Sequence, residues 1–282
     1  YISGMDELVA NHTVNVIVGA ICASINVPLM LVFLTYRPFR ERHKILITLT
    51  IADFVNCTAI MWTGVQRSEI FKDVIETHLM PVRSPWECAF EAWLLLREVG
   101  DLWAPIIQTI MGIERILAVY RPAVYNRYYT SRSIASIAFS VVFVVASIGS
   151  AIGVASTKMD EKVPYYCGRK GSFGNDYGMF VYFVNVLGYS IGFLLNLISY
   201  CKVRTFMSKT EKNKNLARLR SYLAISALST ILVSIPNFIN LASVWFGRLS
   251  EMISKPAVWV TAFNSGINFF VFFALNDEFR ER

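Results

Sequence analysis

Charge is scarce in this chain. Asp, Glu, Lys and Arg supply 17% of its 282 residues, against about 25% in ordinary soluble domains. That shortage excludes a conventional water-exposed globule. Histidine is scarcer still: His12, His43 and His78 are scattered and outside the apolar interiors, so they form no metal constellation. There is no repeat of 20–50 residues, no low-complexity tract and no recognisable enzyme motif, so the sequence argues against an enzyme and implies no cofactor. Residues 1–12 carry no Lys or Arg and include Asp6 and Glu7, which does not suit a signal-peptide leader.

What is abundant is hydrocarbon. The chain is 55% hydrophobic, with mean hydropathy +0.46. Seven apolar segments stand out, at roughly 14–35, 45–66, 89–118, 134–156, 179–203, 219–245 and 256–275. Each is long enough to cross a bilayer core of about 30 Å. The expected fold is an all-α membrane protein, a seven-transmembrane helix bundle forming one domain over residues 1–282.

The net charge of +7 could suggest nucleic acid. The distribution of the basic residues argues otherwise. Seventeen of the 27 Lys and Arg fall in or beside the connections after spans one, three and five and in the tail after span seven; nine fall on the other side. The richer side is expected in the cytoplasm, which puts the N terminus outside and the C terminus inside. The sequon Asn11-His12-Thr13 agrees, on the outer tail. Lys209, Lys212, Lys214, Arg218 and Arg220 lie between spans five and six, where positive charge also attracts anionic lipid headgroups.

Polar groups inside lipid-immersed helices call for a reason, since a charge at mid-bilayer costs about 2.5–3.5 kcal/mol on insertion scales. Asp53 lies well inside span two, with Asn26 in span one and Asn264 and Asn268 in span seven as natural partners. Span three carries Arg97, Glu98 and Asp101 in its outer half. Arg97 and Asp101 are spaced for an i,i+4 pair. Asp101 stands about 21 Å along the axis from Arg115. These charges read either as an internal salt-bridge network or as a polar ligand pocket open to the outside. Trp93, Trp103, Tyr189, Asn237, Asn240 and Trp259 fall at comparable heights on other faces of the bundle. Pro105 and Pro236 interrupt spans three and six, and read either as static kinks or, for Pro236 between polar Ser234 and Asn237, as a hinge.

Five cysteines are present. Cys22, Cys57 and Cys201 sit in apolar runs and read as small buried hydrophobes. Cys88 and Cys167 sit in polar segments beside spans, either bridged or as two free thiols.

In order along the chain, several motifs resemble those of the rhodopsin-like (class A) G protein-coupled receptors. Asn26 is similar to the family's first-helix asparagine, and Leu49-x-x-Ala52-Asp53 to its second-helix Leu-x-x-Ala-Asp. Glu114-Arg115-Ile116 with Pro122 resembles Asp/Glu-Arg-Tyr and its following proline. Tyr200 and Pro236 match the fifth-helix tyrosine and sixth-helix proline, and Asn264-Ser265-x-x-Asn268 the start of the seventh-helix motif. Phe279 matches the phenylalanine of a short amphipathic C-terminal helix. The departures are several. Phe269 and Phe272 replace the seventh-helix proline and tyrosine, Ser234 the sixth-helix tryptophan, and Gly192 the fifth-helix proline. Span four lacks tryptophan, and Leu216 stands where an acidic partner for Arg115 is frequent. Cys88 precedes Arg115 by 27 residues, two more than usual, which predicts an insertion near the outer end. This drift, and the stretch Gln108–Pro122, is similar to the divergent nematode serpentine chemoreceptors.

The resemblance implies a disulfide between Cys88 and Cys167. It implies a small molecule, odorant- or pheromone-like, held among Trp93, Arg97, Glu98, Asp101, Tyr189, Asn237, Asn240 and Trp259. It implies a switch built from Asp53, Glu114, Arg115, Tyr200, Pro236, Asn264 and Asn268, with Glu114 as the main inactive-state partner of Arg115. On activation span six swings outward, and Arg115 and Tyr200 meet a heterotrimeric G protein in the plasma membrane, a sensory cilium being one setting. A sodium ion at Asp53 is disfavoured by Ala104, which occupies the position of a usual hydroxyl. Two rivals remain at this stage. A peptide receptor would use the loop at 157–178 as a hairpin cap, and a seven-span ligand-gated channel would show a continuous polar stripe. A retinal pump or opsin is disfavoured, since 256–275 contains no Lys for a Schiff base and Lys255 lies at its outer edge.

Overall fold

The computed structural model describes residues 5–275 apart from 38–39, 41–42, 126, 128–129, 164 and 207–208; the side chains of 130–132, 206, 209–215, 217–218 and 243–255 are also outside the description. The amphipathic C-terminal helix expected around Phe279, and the Lys209, Lys212, Lys214 and Arg218 side chains, therefore lie outside the described residues.

Seven helices are long and apolar enough to cross a membrane. Span one is Met5–Thr35, span two Lys44–Thr77, span three Ala92–Tyr120, span four Thr130–Ser156 and span five Asn175–Phe206. Span six joins Lys209–Ser229, a π-type turn at Thr230–Ser234, and Ile235–Leu241; Ser243–Leu275 carries span seven. Among the described residues there is no β-strand, only an isolated antiparallel bridge between Arg83 and Val163. Several helices outrun their apolar segments. Span one begins at Met5 rather than near 14, and span two continues to Thr77 rather than 66. Hydropathy marks the lipid-immersed stretch, whereas i→i−4 bonding continues while nothing breaks the ladder.

Lipid is as apolar as Leu, so helix cohesion here rests on close packing and polar links rather than on escape from water. Spans three and five show both. A Cβ on Gly188 would lie 2.7 Å from Pro105 Cβ, one on Gly192 3.0 Å from the Gln108 carbonyl, and one on Gly112 3.1 Å from the Gly192 carbonyl. Small residues at four-residue spacing let the two backbones touch. Thr109 Oγ1 then donates to the Gly188 carbonyl at 2.9 Å.

The prolines are accommodated in two ways. Pro105 has no N–H for the Asp101 carbonyl, and Asn185 Nδ2 of span five supplies the missing donor at 3.0 Å. Span three thus stays helical through Pro105. Before Pro236 the helix widens instead, and Ile235 N–H reaches back to the Thr230 carbonyl. Thr230 Oγ1 and Ser234 Oγ donate to the Tyr189 and Val186 carbonyls of span five at 3.1 and 3.3 Å, fastening the widened segment. Ser234 thus uses, for an inter-helix hydrogen bond, the place where the receptor family has a tryptophan.

A large apolar cluster fills the middle of the bundle and includes Leu29, Phe33, Leu49, Ile107, Met111, Tyr189, Ile225 and Phe272. Phe272, 2% exposed, packs edge-on against Phe33 with centroids 5.6 Å apart. A tyrosine there would bring a hydroxyl into an apolar contact; phenylalanine brings none. Cys22 and Cys57 are buried as expected, but Cys201 is exposed on span five, correcting its reading as a buried hydrophobe. Trp103 turns to span four, donating to Ser140 Oγ at 3.0 Å.

Candidate functional site

Cys88 and Cys167 form a disulfide. Cys88 does not lie on span three but on a separate short helix, Pro85–Ala89, capped reciprocally by Ser84 and Glu87. The turn at Phe90–Glu91 that separates the two accounts for the extended spacing between Cys88 and Arg115. Arg83 bonds Glu91 at 2.6 Å, and Val163 N–H donates to the Arg83 carbonyl at 3.1 Å. The bridge thus draws the connection between spans four and five across one end of the bundle. That connection contains a second short helix, Arg169–Phe173, rather than a hairpin.

The first residue of this helix reaches into the bundle. Arg169 Nε lies 2.5 Å from Glu98 Oε1, and its Nη2 bonds Asp101 Oδ2. Arg97 Nε also bonds Asp101 Oδ2, at 3.0 Å, as the i,i+4 spacing predicts. Burial opposes the charge on Arg169, but Glu98 and Asp101 more than offset it and hold the guanidinium protonated. Both carboxylates are buried, and without Arg169 Glu98 would lack a cation. Sequence reasoning missed Arg169 because nothing in the local pattern joins a loop arginine to a helix 70 residues earlier.

Below this network lies a cavity of about 450 Å3. Trp93, Arg97, Glu98, Asp101, Asn237 and Asn240 line it, as expected of a pocket at this height. The remaining two of the eight named positions do not. Trp259 faces an adjoining cavity of about 510 Å3 and donates to Asn15 Oδ1 at 2.8 Å. Tyr189 is packed into the central apolar cluster. Spans one and two contribute lining residues that the sequence did not single out, among them Asn15, Thr63 and Arg67. The volume is in the range of small-molecule sites, about 300–1,000 Å3.

At mid-bundle, Asn268 Nδ2 donates to Asp53 Oδ2 at 2.6 Å. Asn56 Nδ2 donates to Ser265 Oγ at 3.2 Å, and Asn26 Nδ2 to the Ser265 carbonyl at 3.0 Å. Asn26 is therefore joined to span seven rather than to Asp53. Asn264 is buried close by, with no partner for its Oδ1 among the described residues. Sequence reasoning named Asp53 and Asn268 but not Asn56, whose role depends on how span two is rotated.

At the opposite end, Glu114 and Arg115 approach only to 3.5 Å. The stronger contacts of each go elsewhere. Tyr125 Oη donates to Glu114 Oε1 at 2.9 Å, and the Arg115 guanidinium lies 4.3 Å from the Tyr222 ring centroid. Burial and then Glu114 push the Tyr125 phenol up to about 12, so it remains a donor at neutral pH. Tyr222 Oη lies 3.3 Å from His43 Nδ1, which ties the start of span two to span six. Tyr200 is half-buried on span five and hydrogen-bonds to none of the described residues. The expected Glu114–Arg115 lock is thus a wider contact among spans three and six and the connection after span three. Leu216, apolar, leaves the Arg115 contact on span six to Tyr222.

Three polar levels are therefore stacked along one bundle: a charged cavity at the disulfide end, an amide–carboxylate cluster at the middle, and an arginine–aromatic contact at the other end. No curated protein matches the chain. Residues 16–282, nearly the whole sequence, match the family model described as serpentine type 7TM GPCR chemoreceptor Srsx. The seven spans, the stacked polar levels and this match agree: the chain is a multi-pass membrane protein that belongs to the Srsx family of serpentine chemoreceptor G protein-coupled receptors.

Proposed function

We propose that this receptor binds a small extracellular molecule in the cavity at its disulfide end and catalyses nucleotide exchange on a heterotrimeric G protein at its Arg115 end. The disulfide end faces out and the C terminus faces the cytoplasm, in accord with the basic bias of the connections. The plasma membrane is the setting, and a sensory cilium suits a chemoreceptor. The observation that carries the reading is the cavity itself: about 450 Å3, lined by Trp93 and by convergent polar groups from six spans, under a disulfide-anchored lid. A ligand shifts the bundle only if it binds one arrangement better than the other. Closure around a ligand at Asn237 and Asn240 would bear on span six near Pro236, and span six carries the Tyr222 partner of Arg115. Outward movement of its other end frees Arg115, which then meets the G protein beside Tyr200.

A small molecule suits this site better than a peptide. The lid contains a short helix whose Arg169 reaches into the bundle, and among the described residues no hairpin stands open to receive a chain. A channel is disfavoured because the central apolar cluster separates the polar levels. The test is a cell assay that pairs the receptor with a panel of G proteins and small molecules. Ligand-dependent exchange on at least one G protein supports the reading. Ligand-evoked current without any G protein overturns it.

A further inference from the structure

Six charged side chains line the cavity of about 450 Å3: Arg67, Arg97, Arg169 and Lys170 against Glu98 and Asp101. The two carboxylates are already taken, Glu98 by Arg169 and Asp101 by Arg97 and Arg169. Arg67 is left over. No carboxylate pairs with it among the described residues, and its Nε is buried with no hydrogen-bond partner. Arg97 and Arg169 line the same cavity and carry the same charge. The guanidinium instead lies between two ring faces, 5.3 Å from the Trp93 centroid and 5.5 Å from that of Tyr166.

Ring contacts alone do not explain such a residue. Its side chain is half-buried at the cavity, and a cation–π contact supplies no hydrogen bond to the enclosed Nε. If packing were its only purpose, an uncharged side chain would serve at less cost. The planar fork suits one carboxylate, which it can bind through two parallel N–H donors.

Arg67 also sits at a boundary. Together with Tyr166 it lines both the charged cavity and the adjoining cavity of about 510 Å3. The second cavity is largely aromatic and aliphatic, with Leu8, Phe71, Tyr165, Val258 and Trp259, and has Asn11, His12 and Asn15 of span one on its polar side. We propose that Arg67 anchors the carboxylate of the ligand, so that this receptor takes a small organic monoanion whose apolar body lies in the aromatic cavity among spans one, two and seven. The inference rests on the reading of the disulfide end as the ligand site, and it assigns that ligand a charge and a direction. Of the two cations without a counter-charge, Lys170 is exposed to solvent and Arg67 has an enclosed, unpartnered Nε, so one enclosed cation is matched by one negative charge.

The test uses the full chain in lipid nanodiscs, without a G protein. Octanoate and 3-phenylpropionate are compared with octanamide and 3-phenylpropionamide, which keep the shape and lose the charge. The readouts are thermal stability and the fluorescence of the tryptophans, of which Trp93 lies under the Arg67 guanidinium. At least one acid should raise the melting temperature and perturb the fluorescence, with its amide weaker by on the order of 30-fold. Arg67→Gln should remove the preference for acid, and Arg67→Lys should keep part of it. The acid–amide comparison on the unaltered chain stands even if a variant does not fold. Equal binding of acid and amide, binding of neither, or an acid preference that survives Arg67→Gln overturns the proposal. Nucleotide exchange measured in parallel separates it from the functional reading. Acid binding with no exchange on any G protein leaves the anion site standing and refutes coupling. Exchange driven only by neutral or cationic agonists retains coupling and refutes the anion site.

Discussion

Asn185 donates its side-chain amide to the Asp101 carbonyl, the one that Pro105 leaves without a backbone donor, at 3.0 Å. A span-five side chain therefore completes the hydrogen bonding of span three at the level of the cavity. Asn185→Leu should destabilise the receptor by about 1–3 kcal/mol, the penalty for an orphaned buried carbonyl. Pro105→Ala restores the backbone donor, so the same Asn185 substitution should then matter much less. Thermal unfolding of the two single variants and the double variant gives the coupling; additive effects would contradict the compensation.

Arg169 is the counter-ion of a buried carboxylate. Arg169→Met leaves Glu98 charged or forces it neutral inside the bundle, and stability should fall by about 3–5 kcal/mol. Adding Glu98→Gln should recover much of that loss, because Asp101 retains Arg97. The check is melting of the purified protein in detergent. An unchanged midpoint for Arg169→Met would show that the network contributes little.

The close approach of spans three and five makes glycine necessary at a defined place. A methyl at Gly188 meets Pro105 Cβ at 2.7 Å and its carbonyl at 3.0 Å, so Gly188→Ala should cost about 1–3 kcal/mol. A methyl at Gly149, on span four, meets nothing within 4 Å. Gly149→Ala should be neutral or stabilising by up to about 1 kcal/mol through helix propensity. The pair, compared in one melting series, separates packing from propensity.

At the Arg115 end, Tyr222 and Tyr125 carry the contacts expected of a resting state. Tyr222→Ala removes the ring under the guanidinium, and Tyr125→Phe removes the donor to Glu114. Either change should raise basal nucleotide exchange several-fold, with a larger effect for Tyr222→Ala, since cation–π contacts contribute roughly 0.5–2 kcal/mol. Exchange assays without agonist decide. Basal rates equal to the parent in both variants would place the restraint elsewhere.

Much of this was legible in the sequence, for identifiable reasons. The seven spans follow from apolar length alone, and the Arg97–Asp101 pair from helical spacing. The Asp53–Asn268 contact followed from the need of polar groups inside lipid-immersed spans to find one another, here across 215 residues of chain. Arg67, Arg169, Tyr125 and Tyr222 were not legible as site residues. Each acts across elements, and its partner depends on helix rotation or loop path, neither of which leaves a periodic signal. Tyr189 and Trp103 were grouped with the pocket by height alone and line neither cavity, because height follows from counting residues whereas facing depends on packing. Arg67 was counted as a loop cation because its apolar segment ends at 66, although the helix continues to Thr77.

The most direct measurement fills the cavity. Thr63 lines it from span two, lies away from the Glu114–Arg115 contacts, and belongs to no ion pair. In Thr63→Trp the indole should occupy the space of the ligand. Agonist-stimulated exchange should then fall by at least about 10-fold in potency, a loss of roughly 1.4 kcal/mol of binding, while surface expression and basal exchange persist. A wild-type dose response in a Thr63→Trp receptor that reaches the surface would contradict the placement of the ligand in this cavity.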